Sequence, residues 1–377
     1  MMWYDRFYGK RLYSLLTPNK VLVIHGPRRA GKTALIEHYL KEYPGKIFWG
    51  YGEDETLKEV FRTPCANRMR TLFSAYDLLV FDEAQKLPNV GTALKLIVDT
   101  MDGVRVIAGG SSSFSLSGQL GEPLTGRQLP ILLYPLAVME LARQFGGMDI
   151  NERLESLLIY GSYPECLNAS DSDERNGFLL RLRDSYLYKD ILELENIRNA
   201  DKISDLLRML AFQIGHQVSM NELGNSLGLA KQTVERYLDL LEKSFVIRKV
   251  RGFSQNLRKE VTKSARFYFW DNGVRNAVIN NFNSLSFRDD VGMLWENFLF
   301  MEREKYRAYT SKAANFYFWR TYDRKELDLV EERSGRLYGY EFKWGRKKSR
   351  ARKAWLEAYP HAGLETIDRQ NFLDFIT

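Results

Sequence analysis

The sequence predicts an α/β protein. A parallel-sheet domain comes first, then a helical segment, a helix-turn-helix with a strand wing, and a second α/β module. Three observations predict it. An apolar strand runs through a glycine-rich loop into a helical pattern at "KVLVIHGPRRAGKTALIEHYLKEY". A second apolar run, "YDLLVFDEAQ", ends on two adjacent carboxylates. Near the C-terminus, the hairpin "KELDLVEERSGRLYGYEFKW" sorts its charges onto one face and its apolar side chains onto the other. Short unbroken apolar runs mark strands buried on both sides, and alternation marks a half-buried strand.

The 377 residues exceed what one compact core holds, so several domains are expected. We place them at 1–145 (parallel sheet), 146–210 (helical linker), 211–280 (winged helix-turn-helix) and 281–377 (C-terminal α/β module). With 45% apolar and 27% charged residues, the composition excludes disordered and fibrous classes. A net charge of +7 favours a polyanionic partner, nucleic acid before membrane. Cys65 and Cys166 stand far apart, which excludes a disulfide framework and fits a reducing compartment. The four histidines lack paired spacing, against a zinc site. The N-terminus has no apolar signal core. The greasiest stretch, "LPILLYPLAVMELA", is too short for a bilayer and is broken by Pro135. A cytoplasmic protein without a membrane partner is expected.

The first loop matches G-x-x-x-x-G-K-[ST], through Gly26, Pro27, Arg28, Arg29, Ala30, Gly31, Lys32 and Thr33. Glycines let backbone N–H groups close on phosphate oxygens, the lysine reaches the β- and γ-phosphates, and the threonine hydroxyl ligates Mg²⁺. The helix that follows aims its positive dipole end at the same phosphates. Asp82 and Glu83 end an apolar strand, where ligands of open α/β sheets sit. Asp82 is expected to hold Mg²⁺ and Glu83 to polarise the attacking water. A third strand, "GVRVIAGGSSSF", offers Ser111 or Ser112 as a γ-phosphate sensor, or as a plain helix cap. Arg127 precedes another strand, as an arginine finger for a nucleotide in the same or a neighbouring subunit, or as a surface arginine.

In the middle, "VSMNELGNSLGLAKQTVERYLDLLEKSFVIRKVRGF" reads as a helix-turn-helix. Ser219 and Glu222 form an S-x-x-E start signal, and Gly228 marks the turn. Val234, Tyr237, Leu238 and Leu241 give the second helix a core stripe. Lys231, Gln232 and Thr233 would enter a major groove, with Arg248, Lys249, Arg251, Arg258 and Lys259 on phosphates. The same fold also serves protein contacts. Tyr186, Tyr188 and Asp190 read as packing residues of the helical linker.

In the hairpin, a loop at Ser334-Gly335 pairs Arg333 with Arg336, Leu329 with Tyr340, Asp328 with Glu341 and Glu326 with Lys343. Opposed like charges repel, so Asp328 and Glu341 suggest a divalent cation between them, or else a solvated face. Adding Glu296, from the amphipathic helix in "DDVGMLWENFLFMEREKYR", gives the residue order of a PD-(D/E)xK nuclease core. In that chemistry carboxylates hold Mg²⁺ and the lysine orients the water. Seven of the eleven residues from Lys343 to Lys353 are basic, a phosphate-binding surface or a solvated helix face.

The segments "GPRRAGKT", "LLVFDEAQ", "GGSSS", "LTGRQLPILLYPLAVMELA", "YGSYPECL", "LWENFLF", "KELDLV" and "GYEFKW" together resemble a prokaryotic family in the AAA-type branch of P-loop ATPases. That family carries a C-terminal domain of unknown function. The resemblance implies ATP and Mg²⁺ at Lys32, Thr33, Asp82 and Glu83, and a functional Gly-Arg pair at Gly126–Arg127. It also implies a winged helix joined to a restriction-endonuclease-like fold with Glu296, Asp328, Glu341 and Lys343 in place. One departure is Gly109-Gly110-Ser111 where the family usually has a T-G-S sensor. The expected function is an ATP-hydrolysing ATPase whose nucleotide state controls a DNA-interacting, Mg²⁺-dependent nuclease-like module, with a homo-oligomer as a candidate assembly. The alternative is an ATP-dependent oligomeric switch whose C-terminal domains bind protein.

Overall fold

The computed structural model describes residues 2–110, 124–185, 200–254, 265–345 and 351–377. The chain divides into two compact units, one of Trp3–Leu136 with Lys243–Phe245, the other chiefly Ala137–Glu242 and Val246–Thr377.

The first unit is built on five strands, β1 (Val21–His25), β2 (Ile47–Tyr51), β3 (Leu78–Asp82), β4 (Arg105–Gly110) and β5 (Gln128–Leu132). They are parallel throughout, in the order β2-β3-β4-β1-β5. Alternation decides which side chains go where. Val21, Val23, Leu79, Phe81 and Val106 face a cluster that includes Leu94 and Ile97 of the helix Val90–Thr100. Leu22, Ile24, Leu78, Val80 and Ile107 face Leu35 and Ile36 of the helix Lys32–Leu40. Each such buried aliphatic side chain contributes roughly 1.5–3 kcal/mol. Pro130 sits exposed on the edge strand β5, a position that tolerates its missing N–H and blunts edge pairing.

The second unit opens with the helix Val138–Phe145, in which Val138 N–H donates to Glu302 Oε2 at 2.6 Å. That bond ties the helix to the helix Val291–Tyr309 of the same unit. Further on, Ser219 caps the helix Met220–Leu227, Gly228 turns the chain in the left-handed region, and the helix Lys231–Lys243 follows. Val234, Tyr237, Leu238 and Leu241 of that helix are buried, as their spacing predicts.

Seven strands complete the second unit: β6 (Gln217–Val218), β7 (Ile247–Gly252), β8 (Ala265–Phe269), β9 (Asn315–Arg320), β10 (Glu326–Arg333), β11 (Arg336–Phe342) and β12 (Gly363–Ile367). They form one sheet in the order β12-β11-β10-β9-β7-β8-β6. β7 pairs with β9 in parallel, so a single sheet runs through the segments assigned to 211–280 and 281–377.

One side chain docks the long helix Val291–Tyr309 onto this sheet. Asn297, fully buried, donates to Phe269 O at 3.0 Å and accepts from Phe269 N–H at 2.7 Å. It also donates to Asn272 Oδ1 at 2.7 Å, and Asn272 in turn donates to Leu158 O and Leu294 O. Replacing Asn297 with Ala leaves both backbone groups of Phe269 buried without this partner. We expect a loss of about 2–5 kcal/mol, read as a lowered urea midpoint at unchanged slope.

Candidate nucleotide site and a carboxylate cluster

Because β1 and β3 run in the same direction, the loop after His25 and the carboxylate of Asp82 meet at one edge of the first sheet. Thr33 Oγ1 donates to Asp82 Oδ2 at 2.6 Å. Asp82 Oδ1 accepts from Glu83 N–H at 3.0 Å. A hydroxyl and a carboxylate oxygen in contact are a hard donor pair that fits Mg²⁺. Lys32 is 6% exposed and donates to Gly26 O at 3.0 Å and Pro27 O at 2.8 Å. Burial pulls its ammonium down to about 8, against the opposing pull of Glu83 and Asp82. A desolvated ammonium that donates to two carbonyls has a strong preference for an anion in their place.

Glu83 adopts a left-handed backbone, φ 48°, which costs a non-glycine residue about 1 kcal/mol or more and is found where a side chain is aimed for use. Gln85 Nε2 donates to its Oε2 at 2.5 Å. Gly109 explains the departure at the third strand, since a Cβ there would lie 2.9 Å from Asp82 Oδ1. A threonine would displace the carboxylate. Ser111 and Ser112 lie outside the described residues.

Two arginines fall differently from what sequence predicts. Arg6, in a segment with no motif, is 7% exposed and donates to Ala30 O at 2.7 Å and Tyr134 O at 2.6 Å. It ties down a carbonyl of the phosphate loop, which orients the loop's N–H groups the other way. Its only signal was a charge within an aromatic-rich run. Arg127 lies at the opposite edge of the sheet: its carbonyl accepts from Val21 N–H at the start of β1. At about 3.3 Å per strand residue, β1 separates it from Gly26 by roughly 15–20 Å, and its Nε is held by Asp99 at 2.5 Å. It is therefore no finger for the nucleotide of its own chain.

In the second unit the hairpin register is as the turn predicts, with Arg333 opposite Arg336 and Leu329 opposite Tyr340. The ladder between β10 and β11 ends at Leu329 and Tyr340, before Asp328 and Glu341. The β9–β10 pairing shifts between Leu327 and Val330, and Asp328 Oδ2 accepts from the backbone N–H of Phe342 at 2.8 Å. Glu341 is held by Lys343 at 2.7 Å. Glu326 meets Arg266 at 2.8 Å instead of Lys343. Arg266, on β8, also reaches Glu296 at 3.3 Å and Asp328 at 3.8 Å. Tyr268 donates its hydroxyl to Glu296 at 2.8 Å. Burial, with the Asp328 charge added, raises the Glu296 carboxyl far above the usual range.

The sequence therefore brings Glu296, Asp328, Glu341 and Lys343 together, but around a guanidinium that it did not reveal as central. An arginine inside the buried run "ARFYF" was the available signal, since buried charges demand partners. Among the described residues, no three His, Cys, Asp or Glu side chains converge as a metal ion requires. As they stand, these carboxylates do not fit Mg²⁺.

The basic residues read as phosphate contacts are partly spoken for. Arg248 pairs with Glu304 at 3.0 Å and Glu242 at 3.3 Å, and Lys231 lies 3.6 Å from Glu235. Gln232 and Arg251 are exposed, Thr233 and Lys249 half-buried. Arg258, Lys259, Tyr186, Tyr188, Asp190 and residues 346–350 of the basic run lie outside the described residues.

A five-stranded parallel sheet, a phosphate loop and a threonine–aspartate contact define an AAA-type P-loop domain. Consistent with this, residues 18–142 match the family model "AAA domain". Residues 151–285 and 291–369 match two domains of unknown function, DUF8612 and DUF4143. An uncharacterized protein of Mycobacterium bovis is 29% identical over 340 residues, covering 88% of this chain and 72% of its own. One from Methanocaldococcus jannaschii is 25% identical over 322 residues, covering 80% and 70%. Among solved structures, a Walker-type ATPase of Pyrococcus abyssi aligns at a TM-score of 0.49 and 17% identity, covering 74% of this chain and 96% of that one. Among the described residues, no helix is long and apolar enough to cross a membrane.

Arg6→Ala should weaken nucleotide binding by roughly tenfold, the value of one buried charged hydrogen bond. Arg127→Ala should leave the affinity unchanged. Titration of a fluorescent nucleotide checks both.

Proposed function

We propose that this protein hydrolyses ATP at the Gly26–Thr33 loop and uses the nucleotide state to control a DNA-binding C-terminal unit. The observation that carries the ATPase reading is the meeting of Lys32, Thr33, Asp82 and Glu83 at one sheet edge. Backbone N–H groups of the loop and the helix end behind Gly31 bind the phosphates. Lys32 exchanges the Gly26 and Pro27 carbonyls for phosphate oxygens. Mg²⁺, when bound at Thr33 and Asp82, supplies neutralisation of phosphate charge. Glu83 orients a water and accepts its proton as oxygen attacks the γ-phosphorus and the bond to ADP breaks. Arg127, remote from its own loop and paired with Asp99, would act on the nucleotide of a neighbouring copy or serve as a surface arginine. Supporting a DNA partner are the net charge of +7 and the exposed start of the helix Lys231–Lys243.

The pairing of Arg248 with two glutamates favours a second reading, a switch whose C-terminal unit binds protein. DNA affinity that falls steeply with salt separates the two.

Lys32→Ala should abolish turnover. Glu83→Gln should retain ATP but hydrolyse it about 10²–10⁴-fold more slowly, as measured by phosphate release. Equal loss of binding in Glu83→Gln would remove Glu83 as the base. For the coupling, fluorescence anisotropy with labelled DNA should give different affinities for Glu83→Gln with ATP and wild type with ADP. Identical affinities would end that part of the proposal.

A further inference from the structure

The carboxylate cluster of the second unit poses a charge problem. Glu296 comes from the helix Val291–Tyr309, Glu326 and Asp328 from β10, and Glu341 from β11. Asp328 and Glu341 are buried, and Glu296 is half-buried. Acidic side chains so close repel unless a cation lies among them. Two cations are present: the Lys343 ammonium, 2.7 Å from Glu341, and the guanidinium of Arg266, itself 2% exposed. One of the guanidinium's terminal nitrogens serves Glu296 at 3.3 Å and Asp328 at 3.8 Å, and the other serves Glu326 at 2.8 Å. The face of Phe318 lies against it, 4.6 Å from ring centroid to guanidinium carbon.

The surroundings fix this arrangement. Gly215 closes on Glu296 so tightly that a Cβ there would stand 2.8 Å from Oε1. Tyr268 holds that same oxygen, and Asp328 is fixed by the Phe342 N–H. A planar fork spreads its carboxylates around its rim, whereas a divalent ion gathers oxygens within about 2.0–2.6 Å of one point. The two modes exclude each other. Glu341 Oε2, meanwhile, is buried without a hydrogen-bond partner, an acceptor that the guanidinium does not reach.

We propose that Arg266 is the resident cation of this cluster. It holds Glu296, Glu326 and Asp328 in place of a metal ion, so that the wild-type cluster takes no divalent ion and cuts no phosphodiester by metal chemistry. Taking the guanidinium away frees Glu296, Asp328 and the unpartnered oxygen of Glu341 to bind one. The proposal is independent of the ATPase reading, because it concerns residues of the second unit alone.

The test is Mn²⁺ binding to the full chain without nucleotide, in an Asp82→Asn background that removes the P-loop ligand. Free Mn²⁺ is followed by electron paramagnetic resonance and the unfolding midpoint by calorimetry. Arg266→Met should gain one bound Mn²⁺ and a midpoint that rises with Mn²⁺ concentration. Adding Asp328→Asn should abolish both gains. A folded Arg266→Met that takes no Mn²⁺ overturns the proposal. Should that variant fail to fold, the chain with Arg266 intact decides: Mn²⁺ binding that is the same with and without Asp328→Asn supports the proposal. Binding lost in Asp328→Asn while Arg266 is present overturns it.

Discussion

The second unit depends on the grip of Asn297 on the backbone of Phe269. A helix has no ladder with which to join a sheet, and apolar packing fixes its depth better than its rotation. Two hydrogen bonds to a single residue fix both. Asn272 extends the grip to Leu158 and back to Leu294 of the docked helix itself, so the helices Asn272–Ile279 and Gly147–Tyr160 are referred to the same strand. Buried amides of this kind contribute modest net stability when satisfied, yet are costly to leave unmade. The neighbouring residue on the helix, Glu296, is set by this docking against Tyr268 and Arg266, which flank Phe267 on the same strand. The cluster's geometry is thus a consequence of the dock.

In the first unit the constraint is direction. A parallel sheet brings the C-terminal ends of β1, β3 and β4 together, and three chemically different residues arrive there from separate stretches of chain: Lys32, Asp82 and Gly109. The glycine matters as much as the charges, since its missing side chain is what the Asp82 carboxylate occupies. The same directionality removes Arg127 from the site, because the start of β5 belongs to the other edge. Arg127 is thereby remote from the loop in space as it is in sequence, while Arg6, 24 residues before Ala30, clamps it.

Reading the sequence places residues where structure is local. The phosphate loop needs consecutive residues, the Asp-Glu pair needs one strand end, the core stripe of the helix Lys231–Lys243 needs only helical period, and a tight turn counts the hairpin register outward to Leu329 and Tyr340. Each is settled by interactions spanning a few residues, and each is legible as spacing. What tertiary structure alone decided is who meets whom across the sheet. The bulge in β10, the sharing of one sheet by β7 and β9, and the arrival of Arg266 among carboxylates from two later elements all arise from long-range pairing. A buried charge is assigned its partner by the packing that excludes water around it, and no local pattern encodes that choice.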